Sequence, residues 1–219
     1  MLAFTKETIP KISASLDFFN IMTYDLMNRR DNITKHHTGV KLSLDAIDAY
    51  LESGVSPEKA NLGFAFYVKW FKTDPDGECS QKPVGCKTVL MEDPKTGADL
   101  GQAGGFSWHE SVPAEVDHSF KNALSHGVYD VENGGYYYWD AKENIWWTWD
   151  TPGAILKKFP LIIEEKKLGG VFPWGLGEDA WDWTHLKALN EGVKKYGLGA
   201  TGEWKRRRHS SLPNWKDEL

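Results

Sequence analysis

The chain has 219 residues and a formal net charge of −5, with 41% hydrophobic and 26% charged positions. This composition is typical of a globular protein and excludes a disordered or collagen-like chain. The excess of acidic residues provides no broad positive surface for phosphates, so we expect no nucleic-acid partner. No stretch approaches the roughly 20 apolar residues that span a bilayer, so we expect no membrane partner either.

The two cysteines, Cys79 and Cys86, lie in a stretch rich in Pro and Gly. Two thiols without a neighbouring histidine cluster are too few for a four-ligand zinc site, so neither a metal nor a cofactor is expected. The spacing is compatible with one loop disulfide or with two inert thiols, and the sequence leaves both readings open.

The first elements predicted along the chain are a strand, a helix and a second strand. An apolar run of aromatic and β-branched residues predicts a buried strand over residues 16–25. Helical spacing then predicts a helix with Ser43 as N-cap and Gly54 just beyond its end, on these apolar residues: Leu42, Leu44, Ile47 and Leu51. Residues 62–69 form the second predicted strand, with small Gly63 on the face of Tyr67.

The pattern changes over residues 71–150, where turn-rich segments replace the alternation of strand and helix. Two aromatic segments, residues 136–140 and 145–149, predict a β-hairpin within an inserted α+β unit. A helix is predicted from Thr151 and Pro152 to about residue 166, because a capping residue followed by Pro favours helix entry. Residues 169–174 form a third strand, and residues 179–196 a closing helix that ends at Gly197.

This order predicts an α/β fold with a parallel sheet of βα units. We divide the chain into four parts: strands and an intervening helix over residues 1–70, the inserted unit over 71–150, a final helix–strand–helix over 151–197, and a polar tail over 198–219.

Polar and aromatic side chains coincide with the carboxyl ends of the three predicted strands, where parallel sheets bind ligands. They are Tyr24 with Asp25, Tyr67 with Lys69, and Trp174. A carboxylate, a cation and an aromatic plate suit a sugar, which is polar at its edges and apolar on its face. The alternative is that the aromatics are core residues and the carboxylate caps a loop, and these residues alone leave both interpretations open.

Three of these segments resemble glycoside hydrolase family 18, the chitinases. Residues 17–25 resemble the family's sixth-strand motif Met-x-Tyr-Asp, and residues 17–32 its fungal class V subgroup. Residues 62–70 and 169–179 resemble its seventh and eighth strands, and residues 71–150 its chitinase insertion domain. The resemblance implies the C-terminal portion of a (β/α)8 TIM barrel, about three βα units, with an inserted α+β domain.

The resemblance also implies a ligand and a role for each site residue. The ligand is chitin or a chitooligosaccharide, which the family hydrolyses by a substrate-assisted retaining mechanism. Tyr24 and Asp25 would contact the reacting sugar and its acetamido group in supporting catalytic roles. Substrate-binding roles fall to four further residues: Met22, Tyr67, Lys69 and Trp174. Lys69 stands where the family more often has Arg, so the paired guanidinium contact is lost.

One part of the family pattern, the catalytic motif Asp-x-x-Asp-x-Asp-x-Glu, has no full match in the sequence. The segment 45–52 is a near match with Tyr50 in place of the third Asp, but it follows helical periodicity whereas the motif requires a strand. Glu178 and Asp179 are further acids, but acids are expected at a helix start. We therefore expect the chain to be inactive alone, as an enzyme fragment, a non-catalytic chitin-binding protein or a partial barrel completed by association.

The two chain ends bear on association and localisation. Three barrel strands cannot close, so four side chains are expected to face solvent: Met22, Tyr24, Phe172 and Trp174. The open edges are expected to favour self-association. Residues 216–219 spell Lys-Asp-Glu-Leu, an ER-retrieval signal that acts only in the secretory pathway. No signal peptide is read at the N-terminus, so localisation stays open. The basic run 205–209 is interpreted as a solvated tail rather than a nuclear or polyanion-binding patch.

Overall fold

The computed structural model describes residues 4–198, which contain five α-helices and eight strands. The helices are α1 (Ile9–Ser13), α2 (Val40–Glu52), α3 (Asp117–His126), α4 (Pro152–Lys158) and α5 (Thr184–Lys195). The strands are β1 (Phe19–Ile21), β2 (Ala60–Ala65), β3 (Tyr67–Lys72), β4 (Ala103–Ser107), β5 (Val128–Asp130), β6 (Gly135–Asp140), β7 (Ile145–Trp149) and β8 (Gly170–Trp174). The basic run 205–209 and the terminal residues 216–219 lie outside the described residues.

Three strands form a parallel sheet in the order β1-β2-β8, as the alternation of strands and helices predicts. One face of β2 carries Leu62 and Phe64, which are fully buried. These side chains pack against Ile47 of α2, Ile155 of α4 and Leu189 of α5 in one apolar core. The α/β class is therefore confirmed, with a three-stranded portion of a (β/α)8 barrel covered by helices on its outer side.

The two strands predicted before the insertion are arranged differently from the sequence expectation. β1 contains only residues 19–21, because at Thr23 a hydroxyl replaces the backbone pairing: Thr23 Oγ1 accepts from Gly63 N at 3.0 Å and donates to Gly63 O at 2.8 Å. The second predicted strand is divided at Phe66, whose N–H donates to Trp174 O at 2.8 Å. From Tyr67 onward the chain pairs with β4 instead, so the insertion sheet starts at Tyr67 rather than near residue 71.

Two of the predicted helices, α2 and α4, form close to the predicted ranges. α2 ends as expected before Gly54, which has φ +104°. Ser43 is not its N-cap, because the helix already begins after Gly39 and Ser43 lies buried inside it. Thr151 caps α4 as predicted, since its Oγ1 accepts from Ala154 N at 3.1 Å. The helix continues through a π-helical segment, Phe159–Glu164.

The closing helix α5 begins at Thr184, five residues later than predicted. A 3₁₀ turn, Leu176–Glu178, lies directly before the predicted range. The carboxylate of Asp179 then accepts from the backbone N–H groups of His185 at 3.3 Å and Leu186 at 2.9 Å. Asp179 therefore satisfies donors in the first turn of α5 from outside the helix.

The second sheet is antiparallel and has five strands in the order β4-β3-β7-β6-β5. The predicted hairpin is confirmed as β6 and β7, with Tyr138 opposite Trp147. α3 packs on this sheet, and Phe120 lies 5.0 Å from the ring of the fully buried Trp147. Cys79 and Cys86 form a disulfide with their Cα atoms 5.1 Å apart. Of the two alternatives, a loop disulfide or two free thiols, the structure contains the disulfide.

A buried ion pair joins the two sheets. Lys158 of α4 and Asp150, which follows β7, are both almost completely buried and in contact. Lys158 Nζ also donates to Thr38 Oγ1 at 2.7 Å, so the pair is connected to the loop that precedes α2. Burial lowers the pKa of Lys158, and the adjacent Asp150 opposes that shift.

None of the helices within residues 4–198 is both long and apolar enough to cross a bilayer.

Candidate functional site

Four aromatic rings meet at the carboxyl ends of the parallel strands. Tyr24 lies 6.3 Å from Tyr67, 6.2 Å from Phe172 and 6.4 Å from Trp174, measured between ring centroids. Tyr24 follows β1, Tyr67 follows β2, and the other two rings lie on β8. Adjacent parallel strands thus bring together residues more than 100 positions apart, which produces the edge expected to bind a ligand.

Gly63 makes this arrangement sterically possible. A Cβ atom at this position would lie 2.8 Å from Cε1 of Tyr24 and 2.9 Å from Cζ of Phe172. The two rings therefore occupy the space that a side chain on the middle strand would fill. Sequence analysis placed Gly63 on the face of Tyr67 but did not assign it this role.

Asp25 is the charged centre of the site. Its Oδ1 accepts from the Tyr67 hydroxyl at 2.9 Å and lies 2.9 Å from Lys69 Nζ. The backbone of Asp25 is left-handed, with φ +54°, a conformation that non-glycine residues adopt mainly in turns and at strained functional positions. Of the site residues implied by the family resemblance, the structure brings Asp25, Tyr67 and Lys69 into direct contact.

The two tyrosine hydroxyls of the site are held in the neutral form. Burial raises the pKa of Tyr24, and the nearby Asp25 charge adds to that effect. Burial also raises the pKa of Tyr67, again with a contribution from Asp25. The Tyr24 hydroxyl is buried and has no hydrogen-bond partner among residues 4–198. It is therefore a donor available to a ligand, because buried polar groups in proteins are nearly always paired.

The remaining predicted residues frame the open side of the site. Met22 is 66% exposed and Trp174 is 55% exposed, as expected for side chains of an open barrel segment. The expectation that Tyr24 also faces solvent is wrong, since it is only 7% exposed. The other three rings of the cluster enclose it and replace the cover that further strands would supply.

The acids near β8 differ in their surroundings. Asp179 is 4% exposed and has a structural role, because it lies 2.6 Å from His185 Nδ1 and caps α5. Glu178 lies half-buried beside the site, and desolvation raises its pKa, followed by repulsion from Glu110. The near match to the catalytic motif, residues 45–52, lies inside α2, so the structure confirms that it is helical.

His37 is a residue of the site that sequence analysis missed. It lies in the loop between β1 and α2, and its ring packs 5.3 Å from that of Tyr67. Its Nδ1 lies 3.9 Å from Oδ1 of Asp25. The only sequence signal is the pair His36-His37 twelve residues after Tyr24, which carries no recognisable spacing. In the part of the chain that the structure describes, no group of three or more His, Cys, Asp or Glu could hold a metal ion.

Comparison with known proteins identifies the family. The family model for glycosyl hydrolases family 18 matches residues 3–179. Nod factor hydrolase protein 1 of Medicago truncatula is 28% identical over 182 residues, which is 80% of this chain and 42% of that protein. The chain thus spans less than half the length of this relative.

Solved structures share the fold at lower identity. A plant class V chitinase mutant from Cycas revoluta, solved in complex with (GlcNAc)3, is 22% identical with a TM-score of 0.61. The match covers 84% of this chain and 48% of that one. A chitinase from Rhizomucor miehei is 18% identical with a TM-score of 0.67, covering 83% of this chain and 55% of that one. With the strand-end motifs in place and most of the chain matched by the family model, the chain belongs to glycosyl hydrolases family 18.

Proposed function

We propose that this chain forms the sugar-binding face of a chitinase, the C-terminal part of an enzyme that hydrolyses β-1,4-linked N-acetylglucosamine polymers. The observation that carries the proposal is the buried Tyr24 hydroxyl, which has no partner among residues 4–198 and lies in an aromatic cluster that includes the exposed Trp174. A free donor beside an aromatic plate fits a ring with an apolar face and a polar acetamido group.

Each site residue then has a role that its chemistry supports. Trp174 stacks against the sugar ring, and Met22 lines the pocket floor beside it. The neutral Tyr24 hydroxyl donates to the acetamido oxygen as that oxygen attacks the anomeric carbon, and Asp25 contacts the same sugar in a supporting role. Tyr67 and Lys69 supply further donors, Lys69 as a single charge rather than a planar fork.

Names and ligands of related proteins support a chitin-type ligand. The Cycas revoluta structures were solved with (GlcNAc)3. Endochitinase 1 of Metarhizium anisopliae is 26% identical over 174 residues, covering 75% of this chain.

The chain by itself is proposed to bind sugar without hydrolysing it. The motif Asp-x-x-Asp-x-Asp-x-Glu, which carries the family's proton donor, occurs nowhere in the 219 residues. General acid catalysis contributes about 10²–10⁴-fold to a rate, so a site without the acid loses at least that factor. We expect no release of N-acetylglucosamine oligomers from chitin. Release that Glu178→Gln abolishes would show that Glu178 is the acid and would overturn this proposal.

A non-catalytic chitooligosaccharide-binding protein is the second candidate, and it is favoured by the exposed Trp174, which can stack without any acid. The two candidates differ in what happens when the missing strands are supplied. Hydrolysis restored by a separately expressed N-terminal half from a family 18 chitinase would support the enzyme. Tight binding by the chain alone, with no hydrolysis after mixing, would support the binding protein.

Titration with (GlcNAc)4 tests the binding face directly. We expect a dissociation constant no tighter than millimolar, about −4 kcal/mol, because only three strands contribute to the cleft. Trp174→Ala should abolish the binding. Phe18→Ala is the matched control, since Phe18 is also exposed but lies before β1, at the opposite end of the sheet. Binding that survives Trp174→Ala would contradict the proposed site, and micromolar affinity would favour the non-catalytic protein.

A further inference from the structure

His37 is an unusual residue because its imidazole is buried and unsatisfied. It is 0% exposed, and neither Nδ1 nor Nε2 has a hydrogen-bond partner within the described part of the chain. Leaving a buried polar group unpaired destabilises a fold by about 1–3 kcal/mol. A histidine retained at this cost is expected to have a partner in some state of the protein.

The charged and titratable groups around His37 show which partner is within reach. Lys69, Lys158 and His36 are near enough to oppose a positive charge on the ring, and with burial they hold the pKa of His37 well below its usual range. The imidazole is therefore neutral and carries one N–H donor. The only carboxylate recorded within 4 Å of it, among residues 4–198, is Asp25, at 3.9 Å from Nδ1.

Asp25 already has two competing partners, Tyr67 and Lys69, and both contact the same oxygen, Oδ1. Tyr67 and Lys69 are also the side chains that would donate hydrogen bonds to the proposed ligand. Once a sugar takes their hydrogen bonds, the Asp25 carboxylate loses the contacts that hold it in its present orientation. Its left-handed backbone shows that the surrounding structure, rather than local preference, holds this residue in place.

We propose that His37 is a positioning residue that receives the Asp25 carboxylate when a ligand occupies Tyr67 and Lys69. In this arrangement Nδ1–H donates to Oδ1 of Asp25, which moves about 1 Å closer to the ring than its present 3.9 Å. The freed Tyr67 hydroxyl and Lys69 ammonium then face the ligand. The inference rests on the proposed function for the ligand, but whether Asp25 turns to His37 when Tyr67 and Lys69 are removed is testable without a ligand.

The first experiment needs no ligand. The ¹⁵N and ¹H resonances of the His37 ring are recorded in the full chain, in Tyr67→Phe with Lys69→Met, and in the same double variant with Asp25→Asn. Removing both competitors should bring Asp25 to His37 and shift the Nδ1–H proton downfield, and Asp25→Asn should cancel the shift. His36, whose Nε2 lies 3.0 Å from Asp130, is the internal control and should not respond. No downfield shift in the double variant would overturn the proposal.

The second experiment uses (GlcNAc)3. Binding should shift the His37 resonance in the same direction, and His37→Phe should weaken the affinity by about tenfold, the effect of losing one hydrogen bond to a charged group. His37→Asn keeps a donor near the place of Nδ1 and should recover most of the affinity. If the ring only filled space, Phe would replace it without loss, so unchanged affinity in His37→Phe would refute the positioning role. If the unaltered chain binds no sugar, the proposed function fails while the ligand-free experiment still decides the inference.

Discussion

The parallel and the antiparallel sheets differ in whether any of their strands are joined by a short turn. In the antiparallel sheet, β6 and β7 pair across a turn of four residues, although Lys69 of β3 pairs with the distant Thr148 of β7. In the parallel sheet, Asn61 pairs with Gly170, and the candidate site needs Tyr24, Tyr67 and Trp174 to meet. The comparison teaches that a hairpin can be read from neighbouring residues, while the site depends on segments that meet only in the folded chain.

Both sheets have outer strands, but only those of the parallel sheet belong to a barrel. They are β1 and β8, and β1 has only three residues. In a closed barrel these strands would be paired, since closure removes every edge. Within the described residues, the backbone groups on their outer sides are open to another chain. The antiparallel sheet has outer strands of its own, β4 and β5, and its central strand β7 buries three tryptophans: Trp146, Trp147 and Trp149.

The largest expected effect of this difference is self-association of the chain. An open edge invites pairing, and a lysine on it blocks close approach of a second strand. Asn20→Lys on β1 should therefore shift the chain toward monomer in light scattering. Val131→Lys adds the same charge at an exposed position of the insertion and should leave the mass distribution unchanged. A single monomeric species of the unaltered chain in light scattering would show that the edges of the parallel sheet do not pair with a second chain.

Next in size is the loss of the ion pair between the two regions. Lys158→Met leaves the buried Asp150 without its cation, and breaking a buried pair in this way costs about 3–5 kcal/mol. Lys157→Met is the matched control: that residue is exposed and its Nζ lies 4.9 Å from the centre of the Tyr129 ring, so less than about 1 kcal/mol is expected. Urea unfolding measures both. Equal stability of the two variants would show that the regions do not depend on this pair.

Hydrogen exchange compares the two sheets strand by strand. Amides of β7, the central strand of the antiparallel sheet, should exchange about 100-fold more slowly than those of β1, because a sheet edge opens locally while a central strand opens only with its whole domain. The measurement is native-state exchange followed by mass spectrometry or NMR. Uniform protection across β1, β2, β8 and β7 would show that the edge of the parallel sheet does not open separately from the antiparallel sheet.

A smaller effect is expected at Gly63, where the parallel sheet depends on close approach of two rings. Gly63→Ala places a methyl group within 3.0 Å of Tyr24 and Phe172 and should cost about 1–3 kcal/mol of overpacking. It should also weaken (GlcNAc)4 binding, since Tyr24 is displaced. Gly177→Ala is the control, because no atom lies within 4 Å of its Cβ position. A neutral Gly63→Ala would show that the ring cluster is loosely packed.

The smallest effect is a pH dependence at the contact between the regions. Burial lowers the pKa of His36 and, with the positive charge of Lys69, that of His37. The unfolded chain binds protons near pH 6.5 and the folded one does not, so stability is complete above that pH and falls below it. Below pH 6.5 the unfolding free energy falls by up to about 1.4 kcal/mol per pH unit for each histidine. The double variant His36→Phe with His37→Phe should flatten the unfolding free energy between pH 6.5 and 5, and an unchanged profile would assign the slope to other groups.

Most residues of the candidate site could be predicted from the sequence because they lie at the carboxyl ends of parallel strands. Side chains at strand ends of a parallel sheet share one edge, so Tyr24, Asp25 and Trp174 could be assigned from periodicity and resemblance together. The contact of Asp25 with Tyr67 and Lys69 could not, since it depends on the side-chain directions after the chain passes from β2 to β3. His37 had no signal at all, because a histidine in a loop has no periodicity to read.

What the sequence by itself determined is the order of the parallel strands and the helices between them, together with the aromatic hairpin, whereas α1, α3, β4 and β5 were not predicted from it. Apolar periodicity, the Thr151 cap with Pro152 and the aromatic hairpin are local features, and local features can be read from neighbouring residues. Tertiary structure alone decided where the second strand divides, which ring is enclosed and which carboxylate is structural. Phe66 turns to Trp174 across a gap of 108 positions while Tyr67 pairs with β4, and Asp179 caps α5 from five residues before its start. These outcomes depend on hydrogen bonds and packing between distant segments, which exist only once the sheets have formed.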